Sequence, residues 1–273
     1  MTQSIKRVVV SLDAVSETDL AIDTAARLAA RWRVPLHGVF VEDEELIDLA
    51  RLPFARQVTL TTGREPLTKD HIEDHFRAFA ERLRRELAAG ASRHGVEWSF
   101  EVTRGPLATA TPGGEHDFVV AGAASRPVGD HFRIASRWWS LMGIIARPLL
   151  LARRAWETGG SILALLRNHG PQSERTLDIA AQIAGICNAS LTVATPPDIA
   201  EAEDFAAWVS RLLEGHSLSL RTEPAATEPT ALRQRIIELD CRLLVLEGSP
   251  NEGWPEELRE LIEPLVCGIL VVG

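Results

Sequence analysis

The chain has only three cysteines in 273 residues, Cys187, Cys241 and Cys267. They are odd in number, widely spaced and form no C-x-x-C pair, which argues against a disulfide framework or a thiolate zinc site and fits a reducing cytoplasm. No long hydrophobic run is present either. The most apolar stretch, WWSLMGIIARPLLLA from Trp138 to Ala152, falls short of the roughly 18 residues that a membrane span needs, and it carries Arg147 and Pro148. The opening MTQSIKRVVVSLD lacks an apolar core of export-signal length, because Asp13 closes its run. Catalytic signatures are also missing: there is no G-x-S-x-G, no Walker A loop, and no cysteine with a recognisably placed histidine and acid.

Positive charge is scarce in one half of the chain. Residues 1–155 carry 21 basic and 20 acidic side chains, whereas residues 156–273 carry 8 basic against 18 acidic, so nearly all of the net charge of −9 lies in the second half. The field of that half repels phosphates, and nucleic acid is not an expected partner. What remains is an ordinary globular composition, 45% hydrophobic and 25% charged, in a chain long enough for one large domain or two small ones.

An internal repeat decides between these. Shifted by 155 residues, VVVSLDAVSETDLAIDTAARLAARWRVPLHGV falls on LALLRNHGPQSERTLDIAAQIAGICNASLTVA without a gap. Asp23, Ala25, Ala26, Ala29 and Leu36 then match Asp178, Ala180, Ala181, Ala184 and Leu191, and Asn168 stands opposite Asp13. Farther on, DFVVAG (Asp117 to Gly122) answers RLLVLEG (Arg242 to Gly248), and RPLLLA (Arg147 to Ala152) answers CGILVV (Cys267 to Val272).

Within each copy, apolar runs of strand length alternate with segments of helical period, the pattern of βαβ units around a parallel sheet. In the first copy the strands are expected at 5–12, 35–41, 97–103, 117–122 and 148–152. Helical stripes run through Ile22, Ala25, Ala29 and Trp32, and through Ile72, Phe76, Phe79, Leu83 and Leu87. Phe205, Val209 and Leu212, then Leu258, Leu261 and Leu265, do the same in the second copy. The expected fold class is α/β: two tandem Rossmann-like domains, 1–155 and 156–273, each a five-stranded parallel sheet with helices on both faces. The two sheets are expected to be separate, with the break near Arg154 to Gly160. The stretch from Glu42 to Pro66 has no counterpart in the second copy and reads as an insertion beside the crevice that open α/β sheets form at their strand carboxyl ends.

The element order, the tandem copy and the segment from Asp117 to Arg153 resemble the universal stress protein family across essentially the whole chain. That family has the adenine nucleotide α-hydrolase-like form of the Rossmann fold, and its signature G-x2-G-x9-G-[S/T] wraps the phosphates and ribose of ATP. Laid on this chain without gaps, the signature falls on Gly122, Ser125, Ala135 and Ser136, so two of four positions are kept. Asp13 matches the acid that ends the family's first strand, and Val41 ends the second, where main chain meets adenine. The resemblance implies an adenine nucleotide, ATP or AMP, in the first domain. Ser125 and Ala135 each place a Cβ where a glycine would let phosphate approach bare backbone. Arg126, Arg133, Arg137, Arg147, Arg153 and Arg154 accompany this segment against the single acid Asp130.

The second copy lacks the signature, and Glu247, Glu252, Glu256 and Glu257 crowd its place. It is expected to hold no nucleotide. The two copies are expected to pair about a pseudo-twofold axis, and a homodimer of chains is left open. Three functions remain open: a cytoplasmic, non-enzymatic stress or signalling protein that binds an adenine nucleotide, a scaffold without nucleotide, and a slow ATPase. His71 and His75 have the i, i+4 spacing of a metal pair, but with no third ligand they read as exposed positions on a charged helix. Trp138 is expected in a core stripe, Trp139 against the partner copy, and Pro112, Gly113 and Gly114 are expected to break the helix before strand four.

Overall fold

The computed structural model describes residues 5–13, 18–42, 44, 47–48, 56–59, 63–66, 69–105, 114, 116–122, 147–153, 158–200, 203–226, 228–248 and 265–273. Its first strands, β1 (Arg7–Leu12) and β2 (Leu36–Glu42), flank helix α1 (Thr18–Trp32). A small antiparallel hairpin, β3 (Arg56–Thr59) and β4 (Gly63–Pro66), lies within the insertion and precedes helix α2 (Lys69–His94). Strands β5 (Trp98–Arg104), β6 (Asp117–Gly122) and β7 (Leu149–Ala152) complete the first half. The second half runs β8 (Ser161–Leu165), α3 (Pro171–Cys187), β9 (Ser190–Thr195), α4 (Pro197–Ala200), α5 (Glu203–Leu212), β10 (Leu220–Pro224), α6 (Pro229–Glu238), β11 (Cys241–Glu247) and β12 (Gly268–Val272).

The strand order is β10-β9-β8-β11-β12-β7-β6-β1-β2-β5. Each half is a set of five parallel strands, as the alternating pattern predicts. The expectation of two separate sheets is corrected: β7 and β12 pair antiparallel, Leu150 opposite Leu270, and the ten strands form one continuous sheet. Each half would otherwise leave a short, wholly apolar edge strand with unpaired backbone groups, and joining the two edges satisfies both. Arg153 adds a side-chain tie across the seam, donating from Nη1 to the Leu265 carbonyl at 2.9 Å. The order reads alike from either edge, so the halves are related by a pseudo-twofold through the seam. Their strand carboxyl ends therefore point to opposite sides of the sheet.

Two apolar layers sandwich the sheet. One holds Val8, Val10, Leu12, Leu36 and Phe40 with the stripes of α1 and α2, and continues across the seam through Leu150 and Leu270 to Ile162, Ala164, Leu191 and the faces of α3 and α5. The other holds Val9, Val39, Val41, Leu163, Leu244 and Ile269, with Leu232 and Ile236 of α6. The helices form where the stripe repeats every three or four residues. Helices α1, α2 and α3 stop where a left-handed residue lets the next N–H reach back to a helix carbonyl. Arg33 (φ 58°), Gly95 (φ 64°) and Asn188 (φ 52°) are those residues, and Val34, Val96 and Ala189 donate to Ala29, Ala91 and Ala184. Arg33 and Asn188 are 155 residues apart, so the repeat keeps its stop signal.

Strand faces correct one detail of the repeat. The ungapped shift places Val8 on Leu163, yet these face opposite layers, while Val8 and Ile162, and Leu12 and Leu166, share one. Val8 pairs with Leu36 as Ile162 pairs with Leu191, which sets the offset of β1 at 154 and that of α1 and β2 at 155. A strand slipped by one residue would turn its whole apolar set to the wrong face, so the loop after the strand absorbs the difference. In this register Arg167, not Asn168, stands where Asp13 does. By the same test Gly122 corresponds to Glu247, since Val120 and Val245 share a layer and Gly122 pairs with Ala152 as Glu247 pairs with Val272.

Candidate functional site

In the first half the chain leaves β1 toward β2 on one side and returns to β6 on the other, so a crevice opens beyond the carboxyl ends of β1 and β6. Three of the expected site residues lie at the carboxyl ends of β1, β6 and the neighbouring β2. Asp13 follows β1 and is 8% exposed. Gly122 is the last residue of β6, one step beyond the Ser11–Ala121 pair that joins β6 to β1. Val41 lies near the end of β2, one step beyond the Leu12–Phe40 pair, and its side chain is buried. Ser125, Ala135 and Ser136 lie outside the described residues, as do Trp138, Trp139, Glu252, Glu256, Glu257 and the segment 106–113.

The rim beside Val41 is held by charge. Arg104 of β5 donates from Nε and Nη2 to Glu42 Oε2, at 3.0 and 2.7 Å, and its Nη2 is 3.5 Å from Glu73 on α2. A cavity of about 220 Å³ adjoins it, lined by Glu44, Ile47, Asp48, Lys69 and Arg104. It is smaller than sites that enclose drug-sized ligands and carries both signs of charge, so it does not enclose a nucleotide by itself. A second cavity of about 300 Å³, lined by Ala29, Arg33, Pro35, His94 and Glu97 among others, opens at the far ends of the strands and is remote from Asp13.

The second crevice, beyond β8 and β11, holds a carboxyl group of its own. Glu247 is 5% exposed, and its Oε2 accepts the Arg167 N–H at 3.0 Å. Burial pushes its pKa up, against hydrogen bonds from Ser173 and the Arg167 N–H. Asn168 Oδ1 accepts the Gly170 N–H at 2.7 Å and lies 3.3 Å from the Ser173 hydroxyl. His169 covers this loop by stacking on Phe205, with ring centroids 5.6 Å apart, beside Trp208.

One polar arrangement escapes a reading based on periodicity. A row of side chains crosses the amino-terminal end of the first half's sheet. Arg7 donates to both Asp117 oxygens, at 3.2 and 2.6 Å, and Asp117 also accepts the Gly114 N–H at 2.6 Å. His37 Nδ1 lies 2.7 Å from Ser99 Oγ, and its Nε2 lies 3.4 Å from Glu101. Burial, and then the nearby Arg7 charge, hold the His37 pKa below its ordinary value. Arg147 Nη1 is buried without a hydrogen-bond partner among the described residues. The only sequence signal for this row is the appearance of polar residues at alternate positions of apolar strands. His71 and His75 are exposed on α2, and among the described residues no group of three or more His, Cys, Asp or Glu is placed to hold a metal.

No protein-family model matches the chain, and no curated protein matches it. Among solved structures it is similar to a universal stress protein from Archaeoglobus fulgidus DSM 4304, with TM-score 0.67 at 11% identity over 99% of this chain and 97% of that one. A putative universal stress protein from Pseudomonas aeruginosa UCBPP-PA14 aligns with TM-score 0.56 at 17% identity, over 99% and 94%. A functionally unknown protein from Pseudomonas aeruginosa PAO1 aligns with TM-score 0.57 at 18% identity, over 99% and 93%. The chain therefore has the fold of universal stress protein structures along nearly its whole length. Among the described residues no helix is long and apolar enough to cross a membrane.

Proposed function

We propose that this chain is a universal stress protein of the tandem type, a cytoplasmic, non-enzymatic stress or signalling protein that binds an adenine nucleotide, ATP or AMP, in its first half. The observation that carries the reading is the position of Asp13, Val41 and Gly122 at the carboxyl ends of three adjacent strands, two of which, β1 and β6, flank the point where the strand order reverses. Adenine would lie near Asp13 and Val41. The phosphates would lie against Gly122, Ser125 and Ser136, where a hydroxyl or backbone N–H donates to phosphate oxygens. All three cysteines are buried and none forms a disulfide, which accords with a reducing compartment. The scaffold reading, in which the chain acts through protein contacts alone, is favoured by one observation: Ser125 and Ala135 stand where the signature has glycine.

Thermal unfolding with and without millimolar ATP or AMP tests the reading, because a ligand that binds only the folded state raises stability, by about 2.7 kcal/mol at a hundredfold excess over Kd. Gly122→Val should abolish that rise. Gly248→Val is no neutral control, since a Cβ at Gly248 would lie 2.9 Å from Val271 Cγ1 and 3.2 Å from the Val272 carbonyl oxygen. Gly185→Ala serves instead: on α3 its Cβ meets nothing within 4 Å. No rise in the wild-type protein at saturating nucleotide would leave the scaffold reading.

A further inference from the structure

Glu247 marks a difference between the two halves at equivalent positions. Gly122 ends β6 without a side chain; Glu247 ends β11 with a carboxyl group, on the same face and in the same register. That carboxyl does not reach solvent. It turns back to the loop after β8, where the Arg167 N–H donates to its Oε2 at 3.0 Å, and lies beside the first turn of α3, where the fully buried Ser173 hydroxyl donates to Asn168 Oδ1. Gly170, the residue capping α3, has no side chain to cap the helix, and the 17-residue helix directs its first N–H groups toward the same crevice. Backbone and hydroxyl donors at a helix start are the elements of an anion site. Glu247 Oε1 is buried there with no hydrogen-bond partner among the described residues, so the carboxyl is not held by a complete set of donors of its own.

We propose that the crevice of the second half is an anion site that the chain fills with its own Glu247 carboxyl, a tethered occupant that keeps out a phosphate-bearing ligand such as a nucleoside monophosphate. The choice of ligand class rests on the nucleotide reading of the first half. Exclusion acts in two ways. The side chain stands where Gly122 has none in the other half, and it has already taken the Arg167 N–H. The asymmetry of the tandem then comes from one side chain as well as from loss of a signature.

The test is calorimetric titration of AMP into the full chain in five forms: wild type, Glu247→Gly, Glu247→Gln, Gly122→Val, and Gly122→Val with Glu247→Gly. Glu247→Gly should gain one AMP site per chain over wild type, and the double variant should keep that site. Glu247→Gln, which keeps the volume and an acceptor for Arg167, should gain none. Unfolding of Glu247→Gly in rising inorganic phosphate provides the second measurement, with a larger increase in midpoint than wild type shows. If the variant is unfolded without phosphate, phosphate should restore it. A folded Glu247→Gly with the wild-type number of sites and the wild-type response to phosphate, or an unfolded one that phosphate does not restore, overturns the proposal. Wild type without a site and Glu247→Gly with one would instead sink the nucleotide reading of the first half and leave this one standing.

Discussion

Replacing Asp117 by Asn probes the polar row that periodicity does not reveal. Asp117 accepts two hydrogen bonds from Arg7 and one from the Gly114 N–H, and its side chain is 7% exposed. The amide keeps the shape and one acceptor oxygen, but it turns an NH2 toward a guanidinium and removes a negative charge that acts on Arg147. Breaking a buried ion pair costs about 3–5 kcal/mol. The Arg7 side chain is 35% exposed and can recover solvent, which lowers the expected loss to about 2–3 kcal/mol. Urea unfolding at pH 7 measures it. Burial alone would raise the Asp117 pKa, but the Arg7 and Gly114 hydrogen bonds and the charges of Arg7 and Arg147 outweigh it and hold the carboxyl below its ordinary value. A carboxylate depressed in the folded state contributes its full stability above its unfolded pKa, about 3.9, and loses it as pH falls through the folded value. The gap between wild type and Asp117→Asn should therefore be flat from about pH 5 to 8 and close only below about pH 4. His37, also depressed, costs stability as pH falls below about 6.5, but it does so in both proteins and largely cancels in the difference. A loss under about 0.5 kcal/mol at pH 7, or a gap that widens as pH falls from 5 to 3, would refute the assignment.

Gly38→Ala should destabilise by about 1–3 kcal/mol, because its Cβ would lie 2.5 Å from Leu87 Cδ2 and 3.2 Å from Phe100 Cδ2. Adding Leu87→Val should recover part of that loss, and strictly additive losses in a double-mutant cycle would count against the contact. Leu270→Ala, at the seam opposite the buried Leu150, should cost about 2–5 kcal/mol in urea unfolding, whereas a near-neutral result would mean that the edges are not joined.

Local pattern alone reached far into this protein. The alternation of apolar runs and helical stripes placed β1, β2, β5, β6 and β7 within about two residues, and of the stripe Ile72, Phe76, Phe79, Leu83 and Leu87 all but the partly buried Phe79 are buried on α2. The repeat made the two halves legible, and a family likeness singled out Asp13, Val41 and Gly122, which stand at the ends of β1, β2 and β6. The elements and the repeat were readable because a helix or strand writes its buried face into neighbouring residues. Pairing between distant edges leaves no such trace. Leu149–Ala152 and Gly268–Val272 read as buried strands whether their halves stand apart or join, and only the tertiary structure showed one sheet, because strand pairing is made by backbone groups common to every residue. The register of β1 against β8 was equally out of reach, since a one-residue change in a loop is invisible without the faces. So was the burial of Glu247, which as a letter among other acids reads as surface charge and as a folded side chain fills the crevice, its carboxylate held by a backbone N–H 80 residues away.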